Sequence, residues 1–257
     1  QIDSKRSPMP VQVQLLGSDP NRMAHSALVA IAAGATAIDL NFGCPAKTVN
    51  RNGGGASLLR CPNDLRAVVT TVRQVVPSHI PVSAKLRLGW DDPDEIFAHA
   101  ETMAAAGMDW ITIHGRTRTQ GYRPPADWHR IGEVRRCIPI PVVANGDIID
   151  LDSFRRCRDV TGCQHFMIGR GALANPWMVS EIAVELGLSS GSVPSRWAEL
   201  FESYTQGALQ QEVPEKAIVA RLKHWASLGH QAGLFVGFEE FKFLTSLESA
   251  RAFWSFA

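Results

Sequence analysis

The sequence predicts an α/β fold: a TIM (β/α)₈ barrel lacking its first two strands in this chain, followed by a small all-helical C-terminal domain. Three observations predict it. Short apolar, β-branched runs alternate with helical patterns, the mark of a parallel sheet. Six such units fill residues 11 to about 190 at about 30 residues each, close to the ~31 per unit of an eight-unit barrel of ~250 residues. Beyond that stretch the pattern is helical only, so the two missing units belong ahead of the first strand. Gln at position 1, in place of Met, fits a front that lies upstream. An open doubly wound sheet of six strands fits the same alternation and stays open at this point.

The strands are expected at Val11–Leu16, Ala37–Asn41, Val82–Leu88, Trp110–His114, Val142–Asn145 and His165–Ile168, each a short apolar or β-branched run bounded by turn residues. Asp19-Pro20 and Asp92-Pro93 each offer an acidic N-cap followed by proline at the first helical position, and Glu95 stands at the capping-box position after Asp92. Gly34, Gly107 and Gly162 end helices just before a strand, where a left-handed residue closes the last turn. In the tail, helices are expected over Ser195–Gln210, Pro214–Gln231 and Phe238–Ser249, rich in Ala, Leu, Glu and Lys. The domains are expected to divide as 1–185, the catalytic barrel incomplete at its N-terminus, and 186–257, helical.

With 257 residues, 45% hydrophobic and 20% charged, the chain is neither disordered, collagen-like nor a coiled coil. No apolar run approaches the ~18 residues of a membrane span, and QIDSKRSPMP is too polar for a signal-peptide core, so the expected compartment is the cytoplasm, with no membrane partner. Cys44, Cys61, Cys137, Cys157 and Cys163 include no CxxC pair, which argues against a disulfide framework and a zinc site; no metal and no obligate protein partner are expected. The 26 basic and 25 acidic residues nearly cancel, yet the charge is uneven. Lys47, Arg51, Arg60 and Arg66 stand against Asp64 alone between Cys44 and Arg66, and Arg116, Arg118 and Arg123 follow within one loop without an acid.

In parallel α/β proteins functional groups gather at the C-terminal ends of strands. Those ends carry Gln14; Asn41 with Cys44; Lys85 and Arg87; His114 and Arg116; Asn145-Gly146-Asp147; and Gly169-Arg170-Gly171. Asn-Gly-Asp after one strand and Gly-Arg-Gly after the next place glycine amides and an arginine where barrels bind phosphate, in the loops after strands seven and eight. Cys44 sits in a turn just after a strand. An unperturbed thiol has a pKa of ~8.5, so at neutral pH it is mostly protonated and serves as an acid as well as a nucleophile. Gly53-Gly54-Gly55 lacks the Lys-Ser/Thr of a P-loop and reads as a flexible or close-approach loop. Trp90-Asp91-Asp92 reads as the approach to a helix cap.

VQLLG (13–17), DLNFGCPAKTVNRNGGGASLL (39–59), KLRLGW (85–90), HGRTRTQGY (114–122), ANGDI (144–148) and MIGRGAL (167–173) resemble the tRNA-dihydrouridine synthases over about residues 10 to 185. GCP-x-K-TVN followed by GGGA, with GW after the lysine strand, is most similar to the bacterial C subgroup, which modifies uridine 16 of the tRNA D-loop. The resemblance implies FMN in a barrel, NADPH as reductant, and reduction of the uridine C5=C6 bond. It implies Cys44 as the proton donor, Lys85 beside the flavin N1/O2 edge, Gln14 on the isoalloxazine edge and His114 near the flavin. Asn145, Gly146, Asp147, Gly169 and Arg170 match the phosphate and ribityl contacts, although family members often carry Glu where Asp147 stands. Asn41 and Tyr122 match positions facing the substrate, the basic loops including Arg116 are expected to ring one mouth and hold tRNA phosphates around a flipped uridine, and Arg221, Lys223 and His224 lie in a helix similar to the family's tRNA-binding domain. Three other readings remain: a dihydroorotate dehydrogenase-like barrel acting on a free pyrimidine, a Schiff-base aldolase using Lys85, and an inactive tRNA-binding fragment.

Overall fold

The computed structural model describes residues 12–190 and 196–255. Among them six parallel strands form one sheet in sequence order: β1 (Val13–Leu15), β2 (Ile38–Phe42), β3 (Val82–Arg87), β4 (Trp110–His114), β5 (Val142–Asn145) and β6 (His165–Met167). Every neighbouring pair is joined by a helical crossover, as parallel strands require. The order has no switch point, which is the arrangement of a (β/α)₈ barrel of which six strands are present among the described residues, rather than of a doubly wound sheet.

The helices of the barrel part are α1 (Pro20–Ala32), α2 (Lys47–Arg51), α3 (Pro62–Val75), α4 (Glu95–Ala105), α5 (Trp128–Cys137) and α6 (Leu151–Thr161), with a 3-10 segment at Gly55–Arg60. Asp19 caps α1 as its sequence predicts, accepting from Arg22 N at 2.8 Å with Pro20 at the first position. The helix after Asp92-Pro93 starts later than expected. Asp92 Oδ1 closes a local turn by accepting from Asp94 N, and Glu95 reaches back to Trp90 N at 2.8 Å instead of to Asp92, so α4 begins at Glu95. Gly34, Gly107 and Gly162 have φ of 105°, 78° and 63°, the left-handed geometry expected at those helix ends.

Strand periodicity divides the sheet into two chemistries. Ile38, Leu40 and Phe42 on β2, Val82, Ala84 and Leu86 on β3, Ile111 and Ile113 on β4, and Val142 and Ala144 on β5 are all buried. Each large apolar side chain among these contributes about 1.5–3 kcal/mol by burial. The helices add Leu65, Val68, Val69 and Val72 of α3, spaced as one buried face, and Met23, Ala24, Ala27 and Ala30 of α1, which packs on α3. A register slip of one residue exchanges these apolar side chains for the intervening Asp39, Asn41, Ser83, Lys85 and Arg87, and that cost fixes the parity.

The chain forms two compact units: one runs to Asp147 and takes in Arg155–Met167, and the other holds Ile148–Phe154 and the described residues from Ile168 onward. The boundary expected between 185 and 186 therefore falls inside the second unit. Its helices are α7 (Arg170–Ala174), α8 (Met178–Glu185), α9 (Trp197–Gln210), α10 (Glu215–Gln231), α11 (Phe238–Phe241) and α12 (Leu247–Ser255). Phe201, Ile218, Leu222, Phe235, Phe241 and Trp254 form an aromatic-rich core in which α7 and α9 both pack on α10. The single helix expected over Phe238–Ser249 is instead two, because Ser246 caps a new start: its Oγ accepts from Ser249 N at 3.1 Å.

Candidate active site

Register partners on parallel strands project to the same side, so the pairs Gln14–Asp39, Asp39–Ser83, Asn41–Lys85, Lys85–Thr112, Arg87–His114 and His114–Asn145 put polar side chains from five strands on one face. This is the face opposite the apolar set. The site is thus a consequence of strand parity: along β2 and β3 the residue type changes with every step, and the polar steps share a side.

Cys44 stands two residues past the end of β2, half-buried, in a turn tied by a chain of side-chain hydrogen bonds. Ser83 Oγ donates to Asp39 Oδ1 at 2.5 Å, Gln14 Nε2 donates to Asp39 Oδ2 at 2.6 Å, Asn41 Nδ2 donates to Gln14 Oε1 at 2.8 Å, and Asn41 Oδ1 accepts from Gly43 N and Cys44 N at 3.1 and 3.0 Å. Amide orientation is ordinarily ambiguous, but here both ends of the chain are determined. An ionised carboxylate only accepts and a backbone N–H only donates, so the orientations of Gln14 and Asn41 follow. The far side of the turn is held as well: Cys44 O accepts from Ala56 N at 3.1 Å and from Asn50 Nδ2 at 2.9 Å. Gly55, at φ +62°, can only be glycine, since a Cβ there lies 2.9 Å from Cys44 O. The triple glycine is therefore a close-approach loop against the cysteine turn.

Beside it lies a surplus of positive charge. Arg87 is buried, donating from Nε to Gly43 O at 2.9 Å and from Nη1 to Thr117 O and Gly121 O at 3.0 and 2.8 Å. Arg116 is fully buried; its Nη2 meets both oxygens of Asp147, Nε donates to Arg123 O at 2.7 Å, and Nη1 lies 3.2 Å from His114 Nε2. A guanidinium nitrogen can only donate, so Nε2 is the bare nitrogen of His114 and the proton is on Nδ1. Burial, with Arg87, Lys85 and Arg116 nearby, pushes the His114 pKa down to about 3, which keeps the ring neutral. Burial and the neighbouring Arg87, partly offset by Asp39, lower Lys85 from 10.5 to about 8. Among the described residues its ammonium has no hydrogen-bond partner. Three cations, Lys85, Arg87 and Arg116, thus stand against two carboxylates, Asp39 and Asp147, on a partly buried face that favours an anion near Lys85.

A polar barrel face with a tethered cysteine, an unpaired lysine and a neutral histidine finds its counterpart in known proteins. Residues 1–243 match the family described as dihydrouridine synthase. The chain belongs to the dihydrouridine synthase family. It is 45% identical over 221 residues to the tRNA-dihydrouridine(16) synthase of Shewanella oneidensis, covering 85% of this chain and 68% of that protein. It is 43% identical to the protein of that name from Pseudomonas syringae, over 85% of this chain and 69% of the relative, and 48% identical to that of Ralstonia nicotianae, over 67% and 53%. Among solved structures, a 2,3-dimethylmalate lyase of the PEP mutase/isocitrate lyase superfamily aligns with a TM-score of 0.51 at 21% identity, over 68% of this chain and 62% of that one, a likeness of fold alone.

Within this dihydrouridine synthase chain, Gln14, Asn41, Cys44, Lys85, His114 and Asn145 share one strand-end region, and Tyr122 joins them from the loop after β4. Tyr122 is 58% exposed, with its ring centroid 6.2 Å from that of His114 and Arg87 Cζ 5.3 Å over the ring. Asn145 Nδ2 donates to Met167 O at 2.8 Å, and Gly146 O accepts from Trp128 Nε1 at 2.9 Å. Arg116 differs from its expected place on the basic rim. With its guanidinium forked on Asp147 and enclosed, it has no face for a nucleic-acid phosphate; the exposed cations of these loops are Lys47, Arg51, Arg60, Arg66 and Arg123. Asp147 is likewise engaged internally: it also accepts from Ala126 N at 2.7 Å and holds a non-glycine φ of 55° after Gly146 at 118°. Gly169 and Arg170, in the second unit, are the N-cap and first residue of α7, both exposed. Arg221 and Lys223 lie on α10, but two residues is about 200° of helix, so they do not share a face; Arg221 and His224 are the exposed pair. Sequence reasoning missed Asp39, Ser83, Asn50 and Trp90 as parts of the site. Strict alternation along β2 and β3 is the signal that finds the first two. Among the described residues no helix is long and apolar enough to cross a membrane.

Proposed function

We propose that the chain is the catalytic portion of a tRNA-dihydrouridine synthase that reduces the C5=C6 bond of uridine 16 in the D-loop, in the cytoplasm, with the barrel part acting and the helical part, through the exposed Arg221, helping to hold tRNA. The observation that carries the reading is the Cys44 turn: a half-buried thiol, fixed on both sides by Asn41 and Asn50, beside a lysine without a partner. When bound and kept reduced by NADPH, FMN would supply the hydride for uracil C6.

The residues present fit such a cofactor. A partnerless Lys85 ammonium in a site with excess positive charge suits the N1/O2 edge of an anionic flavin, and an anion there restores the charge that burial disfavours. Gln14 keeps one amide N–H beyond its bond to Asp39 to offer the ring edge. Asn145, Gly146, Asp147, Gly169 and Arg170 are assigned to the ribityl chain and phosphate; the internal pairing of Asp147 leaves its backbone as the group it offers. His114, neutral with Nδ1–H, is a hydrogen-bond donor rather than a proton source. Cys44 gives its S–H proton to C5 and is reprotonated from solvent, the step its half-buried position permits. Asn41 retains one N–H for the uracil, and Tyr122 offers its exposed ring to the flipped base.

The test is dihydrouridine mapping at nucleotide resolution in tRNA from cells lacking the gene, with restoration by the purified yellow protein and NADPH. Loss at position 16 is expected; loss elsewhere overturns the position, and an unchanged tRNA overturns the activity.

A further inference from the structure

We propose that Arg118 is a positioning residue for Cys44: through Asn50 it latches the loop after β4 onto the turn that carries the thiol. The inference rests on the reading of Cys44 as the proton donor. The sequence groups Arg118 with a phosphate-binding rim, but its side chain points into the protein and is half-buried. Nε donates to Asn50 Oδ1 at 3.0 Å and Nη2 to Pro45 O at 3.2 Å. Asn50 in turn gives both amide hydrogens inward, to Cys44 O at 2.9 Å and to Gly54 O at 3.1 Å. One guanidinium therefore touches the residue after the cysteine directly and the cysteine carbonyl through a single amide.

The origin of the latch is fixed too. Arg118 N donates to Gly89 O at 2.9 Å and Thr119 N to Trp90 O at 3.0 Å, so the loop after β4 is zipped to the loop after β3. The Trp90 ring carries Arg118 Cζ at 4.9 Å and Arg60 Cζ at 5.1 Å. Trp90 thus serves as the platform that sets the fork's direction. Asn41 holds the N–H side of the cysteine turn from β2, and Arg118, two loops further along the sheet, holds its carbonyl side through Asn50 of α2. A proton donor that must meet one carbon of a flipped base needs this placement, and a thiol on a turn held from one side only does not have it.

The test is the rate of iodoacetamide alkylation at each cysteine of the intact protein, read by peptide mass spectrometry, alongside steady-state kinetics on tRNA. Arg118→Ala and Asn50→Ala are each expected to raise the Cys44 rate about fivefold, the population shift of one lost hydrogen bond. The exposed Cys61 is the internal control and stays unchanged, while buried Cys157 and Cys163 stay unmodified if the variants are folded. Because Arg118 reaches the Cys44 carbonyl through Asn50, the double variant is expected to fall well short of the product of the single effects. Arg118→Lys, which keeps the charge and loses the fork, behaves like Arg118→Ala and is the milder variant should alanine unfold the loop. The kinetic counterpart is a fall in kcat at unchanged KM for tRNA. An unchanged Cys44 rate, a double effect equal to the product of the singles, or a rise in KM with a shallower salt dependence overturns the latch. Failure of the acid reading is separate: Cys44→Ala with full turnover sinks that reading while the alkylation pattern still supports the latch.

Discussion

Lys85→Met is the perturbation that tests the electrostatics of the site most directly. Lys85 sits on β3 between Asn41 and Thr112 in the register, with a pKa lowered from 10.5 to about 8 mainly by burial and next by Arg87. At about 1.4 kcal/mol per unit, this shift corresponds to a ceiling of about 3 kcal/mol disfavouring the folded, charged form; water reaching the half-buried chain trims it to about 1–3 kcal/mol. The direction follows from proton binding. Between the folded and unfolded pKa values the unfolded chain binds more protons, so the penalty is fully present below about pH 8 and fades as pH rises toward 10.5. Methionine matches the stem's length and removes the charge. The flavin-free Met variant is therefore expected to be more stable than wild type in urea denaturation at pH 7, with that advantage about 2 kcal/mol smaller at pH 9.5 as a ceiling. The same variant loses flavin affinity and turnover. An advantage that does not change with pH, or a less stable variant at pH 7, refutes the view that Lys85 is held charged and unpaired to await an anion.

Cys44→Ala is expected to lower tRNA reduction by about 10²–10⁴-fold while flavin binding, read by absorbance, survives. His114→Gln removes a source of acid sensitivity: the folded pKa of about 3 lies below the ordinary 6.5, so the stability this residue contributes is complete above pH 6.5 and falls as pH drops toward 3. Between pH 7 and 5 the variant should lose about 2 kcal/mol less than wild type in parallel urea titrations; identical losses refute the neutral assignment. Gly55→Ala, which drives a Cβ to 2.9 Å from Cys44 O at φ +62°, should cost about 2 kcal/mol and raise Cys44 alkylation, whereas Gly54→Ala, with its nearest atom at 3.5 Å, should cost under about 0.5 kcal/mol.

Much of the fold was legible because parallel strands advertise themselves. β4 and β5 coincide with their apolar runs, β2, β3 and β6 differ at their ends by one residue, and β1 ends one residue early, the expected start at Val11 lying outside the described residues. The cap at Asp19 and the three left-handed glycines rest on local chemistry and were readable for that reason. Asp92 was not, since Glu95 found a better donor in Trp90 N, and the final helix broke at Ser246 because a serine supplied a competing start. In the site, residues at strand ends could be found one strand at a time. The pairing of Arg116 with Asp147 across 31 positions, or of Arg118 with Asn50 across 68, could not, because composition says only that the loop is basic. Whether an arginine faces solvent or forks on a buried acceptor depends on which loops the sheet brings together.

The two buried arginines and the latch explain together why so polar a face is affordable inside a barrel. Arg87 spends its donors on three backbone carbonyls of the loops after β2 and β4, Arg116 forks on Asp147 and reaches Arg123 O, and Arg118 takes Asn50 and Pro45 O. Unpaired, each such donor costs several kcal/mol on burial; paired, each ties a loop to the sheet. Two loops are thereby fixed around Cys44 by side chains whose own charges are not spent on substrate. On this face, among the described residues, Lys85 is the cation without a hydrogen-bond partner, and Asp39 is the carboxylate that orders the amides. Asp39 has a further consequence for polarity: replaced by Asn with its Nδ2 toward Gln14, it makes Gln14 turn over and leaves Asn41 to meet the Gly43 and Cys44 N–H groups with its own amide donor, so the chain survives only if the new Nδ2 faces Ser83 and that hydroxyl turns to accept. The acceptor-only character of one buried carboxylate on β2 thus reaches, through two amides, the backbone of the residue assigned to deliver the proton.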